Sequence, residues 1–131
     1  MKTSMIEPGP DWWRAALADF GAGLGFADAG AWTGDVLNLA VEDGKYLIDV
    51  ERTGETVVLA VLRRAPVAEV EAKARLLLRA TGFEHDHPFF LQAGMKGADV
   101  LVLAARVERA QSRGLFDALG LILGIYADMG L

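Results

Sequence analysis

Apolar residues along this chain switch between helical and strand spacing, and the switches divide it into eight elements. Trp13, Leu17, Phe20 and Leu24 recur at i, i+4, i+7 and i+11, the single stripe of an amphipathic helix over Asp11 to Leu24. Asp11 is the expected N-cap, and Gly25 the residue that ends the helix. Successive helical residues point about 100° apart, so Trp12 falls off the stripe of Trp13, beside Ala16 and Gly23. A glycine-rich passage from Gly21 to Gly34 follows and carries Phe26 and Trp32.

Three strands come next. Val36–Val41 meets Lys45–Glu51 across Asp43-Gly44, a strong hairpin signal. A turn at Thr53-Gly54 leads to Thr56–Leu62, whose run TVVLAVL predicts a central strand covered on both faces. Pro66 stops the sheet. A second helix spans Ala68 to Thr81, supported by Glu69–Lys73 and Glu71–Arg75 pairs one turn apart. Val70, Ala74, Leu77 and Thr81 share its inner face with Leu78 at the flank, while Leu76 points elsewhere. A hairpin, Phe90–Met95 and Asp99–Val107 around Lys96-Gly97, precedes a third helix from Ser112, its expected N-cap, to Met129. The order α-β-β-β-α-β-β-α predicts an α+β fold, a twisted antiparallel sheet packed by helices. No repeat or linker interrupts it, so residues 1–131 are read as a single domain.

Composition narrows the function. With 18 Asp and Glu against 13 Lys and Arg, the net charge is −5, and the longest basic run is Arg63-Arg64. Nucleic acids and anionic membranes demand a basic patch, so neither is the expected partner. The most apolar segment, Leu115 to Ile125, is interrupted by Asp117 and falls short of the roughly 20 residues of a bilayer span. The start, MKTSMIEPGPDWW, has no apolar h-region, so no signal peptide is expected. Cysteine is absent, which removes disulfides and thiol chemistry and agrees with a cytoplasmic location.

Catalytic residue types gather at one place, Glu84-His85-Asp86-His87. Two histidines two apart on a strand, with a carboxylate, would hold a metal, but a third ligand at a recognisable distance is missing. A polar loop ended by Pro88 accounts for the same residues. GAGLGF lacks the third glycine and the preceding strand of a dinucleotide fingerprint. Gly120-xxx-Gly124 has the spacing of a small-residue packing motif. Neither a cofactor nor a catalytic residue is expected. What remains is surplus apolar surface: Trp12, Phe26, Trp32 and Leu76 do not all fit one core, which points to an interaction surface.

The helix ending FGAGLG (Phe20–Gly25), the series LNLAVEDGKYLIDVERTGETVVLAVL (Leu37–Leu62), the helix AEVEAKARLLLRA (Ala68–Ala80) and the apolar C-terminal helix together resemble the class I type III secretion chaperones. That is the family of the Tir and Yop effector chaperones. The resemblance implies a cytoplasmic homodimer without catalysis. It would hold the N-terminal segment of a secreted effector or gatekeeper protein in a non-globular, export-competent form, with the export apparatus as a second candidate partner. It places client contacts at Trp12, Ala16, Phe26, Trp32, Leu37 and Leu39. It places the dimer interface on the second helix and a late strand, at Leu76, Arg79, Val100 and Val102. The Gly21–Gly34 passage and the HDH loop depart from the family's pattern. Two other readings stay open: a binding or regulatory domain of the same architecture outside secretion, and a small metal-dependent enzyme using His85 and His87.

Overall fold

The computed structural model describes residues 9–26, 32, 34–82 and 86–131. Its elements are α1 (Asp11–Leu24), β1 (Val36–Val41), β2 (Tyr46–Thr53), β3 (Thr56–Arg64), α2 (Val67–Ala80), β4 (Phe90–Lys96), β5 (Val100–Glu108), a 3-10 helix (Arg109–Gly114) and α3 (Leu115–Asp128). The eight expected elements are present in the expected order.

The five strands form one sheet in the order β1-β2-β3-β5-β4, every neighbouring pair antiparallel. Strand side chains alternate between faces, and here the alternation sorts them sharply. One side carries the rows Ile48–Val61–Leu103 and Val50–Leu59–Ala105, all fully buried. Trp13, Leu17 and Phe20 of α1, Val70 and Leu77 of α2, and Leu115, Leu119 and Ile122 of α3 join them in one core. Because β3 and β4 run the same way with β5 between them, α2 crosses from one to the other and packs on β4 and β5.

Tyrosines tie the helical layer to the sheet. The Tyr126 hydroxyl donates to the Val61 carbonyl at 2.9 Å, and that of Tyr46 to the Leu131 carbonyl at 2.8 Å. Lys73 Nζ donates to the Met129 carbonyl, fastening α2 to the end of α3. The Arg63 guanidinium lies 5.6 Å from the Tyr46 ring centre, and its buried Nε has no hydrogen-bond acceptor among the described residues. Burial pushes the Tyr126 phenol pKa well above its usual range; nearby Tyr46 adds to the rise, while the Leu103 backbone and Arg63 oppose it.

Several local expectations are corrected. Pro10, not Asp11, precedes α1; Asp11 is its first residue and pairs with Arg14. A proline there costs nothing, because the first helical N–H groups have no partner in the helix. Ser112 does not cap α3 but lies buried inside the 3-10 helix that precedes it. β3 is central but not covered on both faces: Val58 is 42% exposed on the side away from the helices. Gly120 and Gly124 are exposed with open space where a Cβ would sit, so no close helix contact uses them. The hairpin between β1 and β2 turns through Glu42, Asp43 and Gly44, all at positive φ, which is a strained conformation for Glu42.

Candidate partner-binding site

Trp12 is half-buried, and its cover comes from far along the chain. Its ring meets that of Trp13 edge-on at 6.3 Å, and the Arg109 guanidinium sits 5.7 Å from its centre. Arg109 is fixed by an ion pair with Glu55 at 2.7 Å and by its own N–H to the Glu55 carbonyl. Trp13 is inside, its indole N–H donating to the Gly34 carbonyl at 2.7 Å. No helical periodicity reveals Arg109, because the contact joins α1 to the 3-10 helix.

The small residues on the Trp12 side of α1 are both covered. Ala16 is fully buried, so it belongs to the core and offers nothing to a partner. The buried face of α1 is wider than its stripe of large residues, because the 3-10 helix and α3 both pack against it. Gly23 lies under the ring of Phe116, and a Cβ there would come within 2.6 Å of that ring. Phe116 of α3 therefore occupies the space over Gly23, about 16 Å along α1 from Trp12.

Phe26 and Trp32 form a second aromatic site at the other end of α1. Gly25, at φ +90°, ends the helix in the left-handed conformation, and the Phe26 N–H reaches back to the Gly21 carbonyl at 2.9 Å. This cap throws the Phe26 ring outward, where it meets Trp32 edge-on at 5.4 Å and remains 41% exposed. A helix rises about 1.5 Å per residue, so Trp12 and Phe26 stand roughly 20 Å apart. Leu37 and Leu39 are half-buried on the core side of β1, opposite Val50 and Ile48. The six client residues thus divide into Trp12 under Arg109, the Phe26–Trp32 pair, the inner row of β1, and buried Ala16.

The four expected dimer residues lie on two surfaces. Leu76 and Arg79 are exposed on α2, in the helical layer. Val100 and Val102 are half-buried on the opposite face of the sheet, on a strand flanked by β4. One flat contact does not include all four. Exposed apolar residues outside the expected dimer set lie on both surfaces: Val67 at 73% and Leu78 at 61% on α2, and Phe90 at 67% on the outer face of β4, the face of Val102. The alternation with buried Leu91 was the available signal for Phe90.

His85 and Glu84 lie outside the described residues. His87 Nε2 is 2.7 Å from the Ala80 carbonyl at the end of α2, beside a cavity of about 380 Å³ lined by Thr81, Asp86 and Phe89 among others. Among the described residues no group of three His, Asp or Glu side chains is placed to hold a metal. Among them, too, no helix is long and apolar enough to cross a membrane.

No protein-family model matches the sequence, and no curated protein matches it. The fold does have a solved counterpart. The type III secretion chaperone SycH of Yersinia pestis, solved in complex with a stable fragment of YscM2, superposes with a TM-score of 0.56 over 88% of this chain and 98% of its own. Their sequences are 10% identical, so the likeness is one of fold. The chain has the α+β architecture of a secretion chaperone.

Proposed function

We propose that this protein is a cytoplasmic type III secretion chaperone. It binds the N-terminal segment of a secreted effector or gatekeeper protein and keeps that segment export-competent, without catalysis. The observation that carries the reading is the fold, matched over 88% of the chain to a chaperone solved with a partner fragment. Exposed Phe26 with half-buried Trp32 beside it, and the half-open row of Leu37 and Leu39, support it, because a non-globular segment needs apolar anchors. Each aliphatic side chain buried on binding is worth about 1.5–3 kcal/mol, so several anchors offset the ordering of a disordered segment. The homodimer uses the exposed surface of α2 around Leu76 and Arg79.

Co-expression with N-terminal segments of secreted proteins tests the proposal. One segment is expected to co-purify, and its amide NMR spectrum in the complex is expected to lack a globular domain's own tertiary packing. Capture of only folded partners, or of no secreted segment, overturns the reading in favour of a binding domain outside secretion.

A further inference from the structure

We infer that the outer face of the sheet, at the end beside the β1–β2 turn, binds an acidic segment of a partner protein in which leucine-sized residues lie between carboxylates. The site is on the face away from the helices and from the inner row of Leu37 and Leu39. It is therefore separate from the client surface proposed above and does not rest on that reading.

Strand alternation supplies the floor. Leu47 pairs with Leu62 across β2 and β3, and Val100 of β5 lies diagonally from Leu62, all three on the outer face. Leu47 is 49% exposed and Val100 half-buried, so this aliphatic patch is open. The rim is cationic. β3 ends in Arg63-Arg64, and the β1–β2 turn, closed by Gly44 at φ +83°, sets Lys45 beside them. Together these residues line a cleft of about 300 Å³. Lys96, exposed on β4 opposite Val100, adds a fourth positive charge to the same face. Four of the chain's 13 Lys and Arg thus gather at one end of an acidic molecule, although only two of them adjoin in sequence.

Carboxylates of the protein do not cancel these charges. Asp99 meets the Arg64 Nε loosely at 3.4 Å, while Lys45, Arg63 and Lys96 make no ion pair with a described residue. Arg63 is also held in place, by the Tyr46 ring at 5.6 Å and by its own bond to the Arg64 carbonyl at 2.7 Å. Its charge is thus fixed at the cleft before a partner arrives, which lowers the ordering cost of binding. The shape and floor select among anions. A volume of about 300 Å³ is at the small end of ligand clefts, so it admits a side chain or two of a longer partner rather than a whole cofactor. An aliphatic floor offers no aromatic face on which a nucleic-acid base stacks. An anionic bilayer meets far more of the molecule than this end, and a net charge of −5 repels it. An acidic peptide fits both parts of the site: leucines cover the floor, and the flanking carboxylates reach the rim.

The test titrates the protein into a dye-labelled peptide, two leucines between pairs of glutamates, and reads affinity by fluorescence anisotropy. Replacing the glutamates by lysines, or the leucines by alanines, is expected to weaken binding about ten-fold or more. The variant Lys45→Glu, Arg64→Glu should lose a similar factor for the original peptide. Arg106→Glu is the control on the same face. It stands about 20 Å along β5 from Val100, beyond the screening length of about 8 Å at physiological salt, and should leave the affinity within about two-fold. Methyl NMR of the wild type places the site without any variant: shifts are expected at Leu47, Leu62 and Val100. Equal binding of the glutamate and lysine peptides overturns the inference, as does equal loss in the two variants or no binding up to about 1 mM. Methyl shifts confined to the helical side overturn it too, as does binding of phosphatidylglycerol vesicles in place of the peptide. Because the probe is synthetic, capture or loss of a secreted segment decides the chaperone reading and leaves this result untouched.

Discussion

Trp12 and Trp13 are neighbours in sequence and differ in what covers them. Trp13 is buried among core residues and hydrogen-bonded to Gly34, so Trp13→Ala should cost about 3–5 kcal/mol of stability. Trp12 is held by one guanidinium and one ring edge, and its loss should cost clearly less than half of that in thermal or denaturant melts. Arg109→Ala should then raise the accessibility of Trp12 to a fluorescence quencher without unfolding the protein. Tyr126 makes a prediction of opposite kind. Its folded pKa is raised, so below pH 10 it is protonated in both states and contributes no pH dependence. Above pH 10 the unfolded chain loses the proton first, and stability falls as pH rises, by up to about 1.4 kcal/mol per unit for one group. Denaturant melts at pH 9 to 11 should show a shallower alkaline decline in Tyr126→Phe than in wild type. The stripe that buries Trp13 was legible in the spacing of Leu17 and Phe20. The Arg109 cover and the burial of Ala16 were not, because both depend on the 3-10 helix and α3 arriving from the far end of the chain.

Among the elements, α2 decides how the proposed dimer is built. Its inner face is narrow, Val70 and Leu77, and its remaining leucines point outward on two flanks. Leu76 lies on the same flank as Lys73, which is tied to α3, whereas Leu78 lies on the flank away from it. Light scattering at about tens of micromolar should therefore show a dimer in the wild type and dissociation in Leu76→Asp. Val102→Asp, on the other face of the sheet, separates the alternatives. If it alone dissociates the dimer, the sheet face and not α2 forms the interface. The helices and hairpins themselves were legible because their periodicities are strong. The uncovered outer face of β3 was not, since TVVLAVL reads as buried on both sides whether or not a second layer exists. A run of Val, Leu and Ala states a tolerance for burial; only the path of α2, crossing on the same side as α3, shows which face stays open.

At the scale of the whole molecule, three helices on one side of a five-stranded sheet leave the outer face and Phe26 exposed, with β1 at the edge of the described sheet and a net charge of −5 on the chain. The acidic surface keeps a protein with such apolar openings from self-association through non-specific contacts. The order of elements carried the resemblance to secretion chaperones from sequence alone, and the superposition with SycH agrees at the level of fold. Of the residues expected to meet a client, Phe26 is exposed and Trp32, Leu37 and Leu39 are half-buried, while Ala16 went into the core. Hydrogen–deuterium exchange on the protein alone and in complex with a co-purified N-terminal segment of a secreted protein tests this most directly. Amides of Val36–Val41 and of Gly25 and Phe26 should become protected, with the core strands β3 and β5 unchanged. Protection confined to α2, or no change at β1 with a bound segment present, would contradict the account.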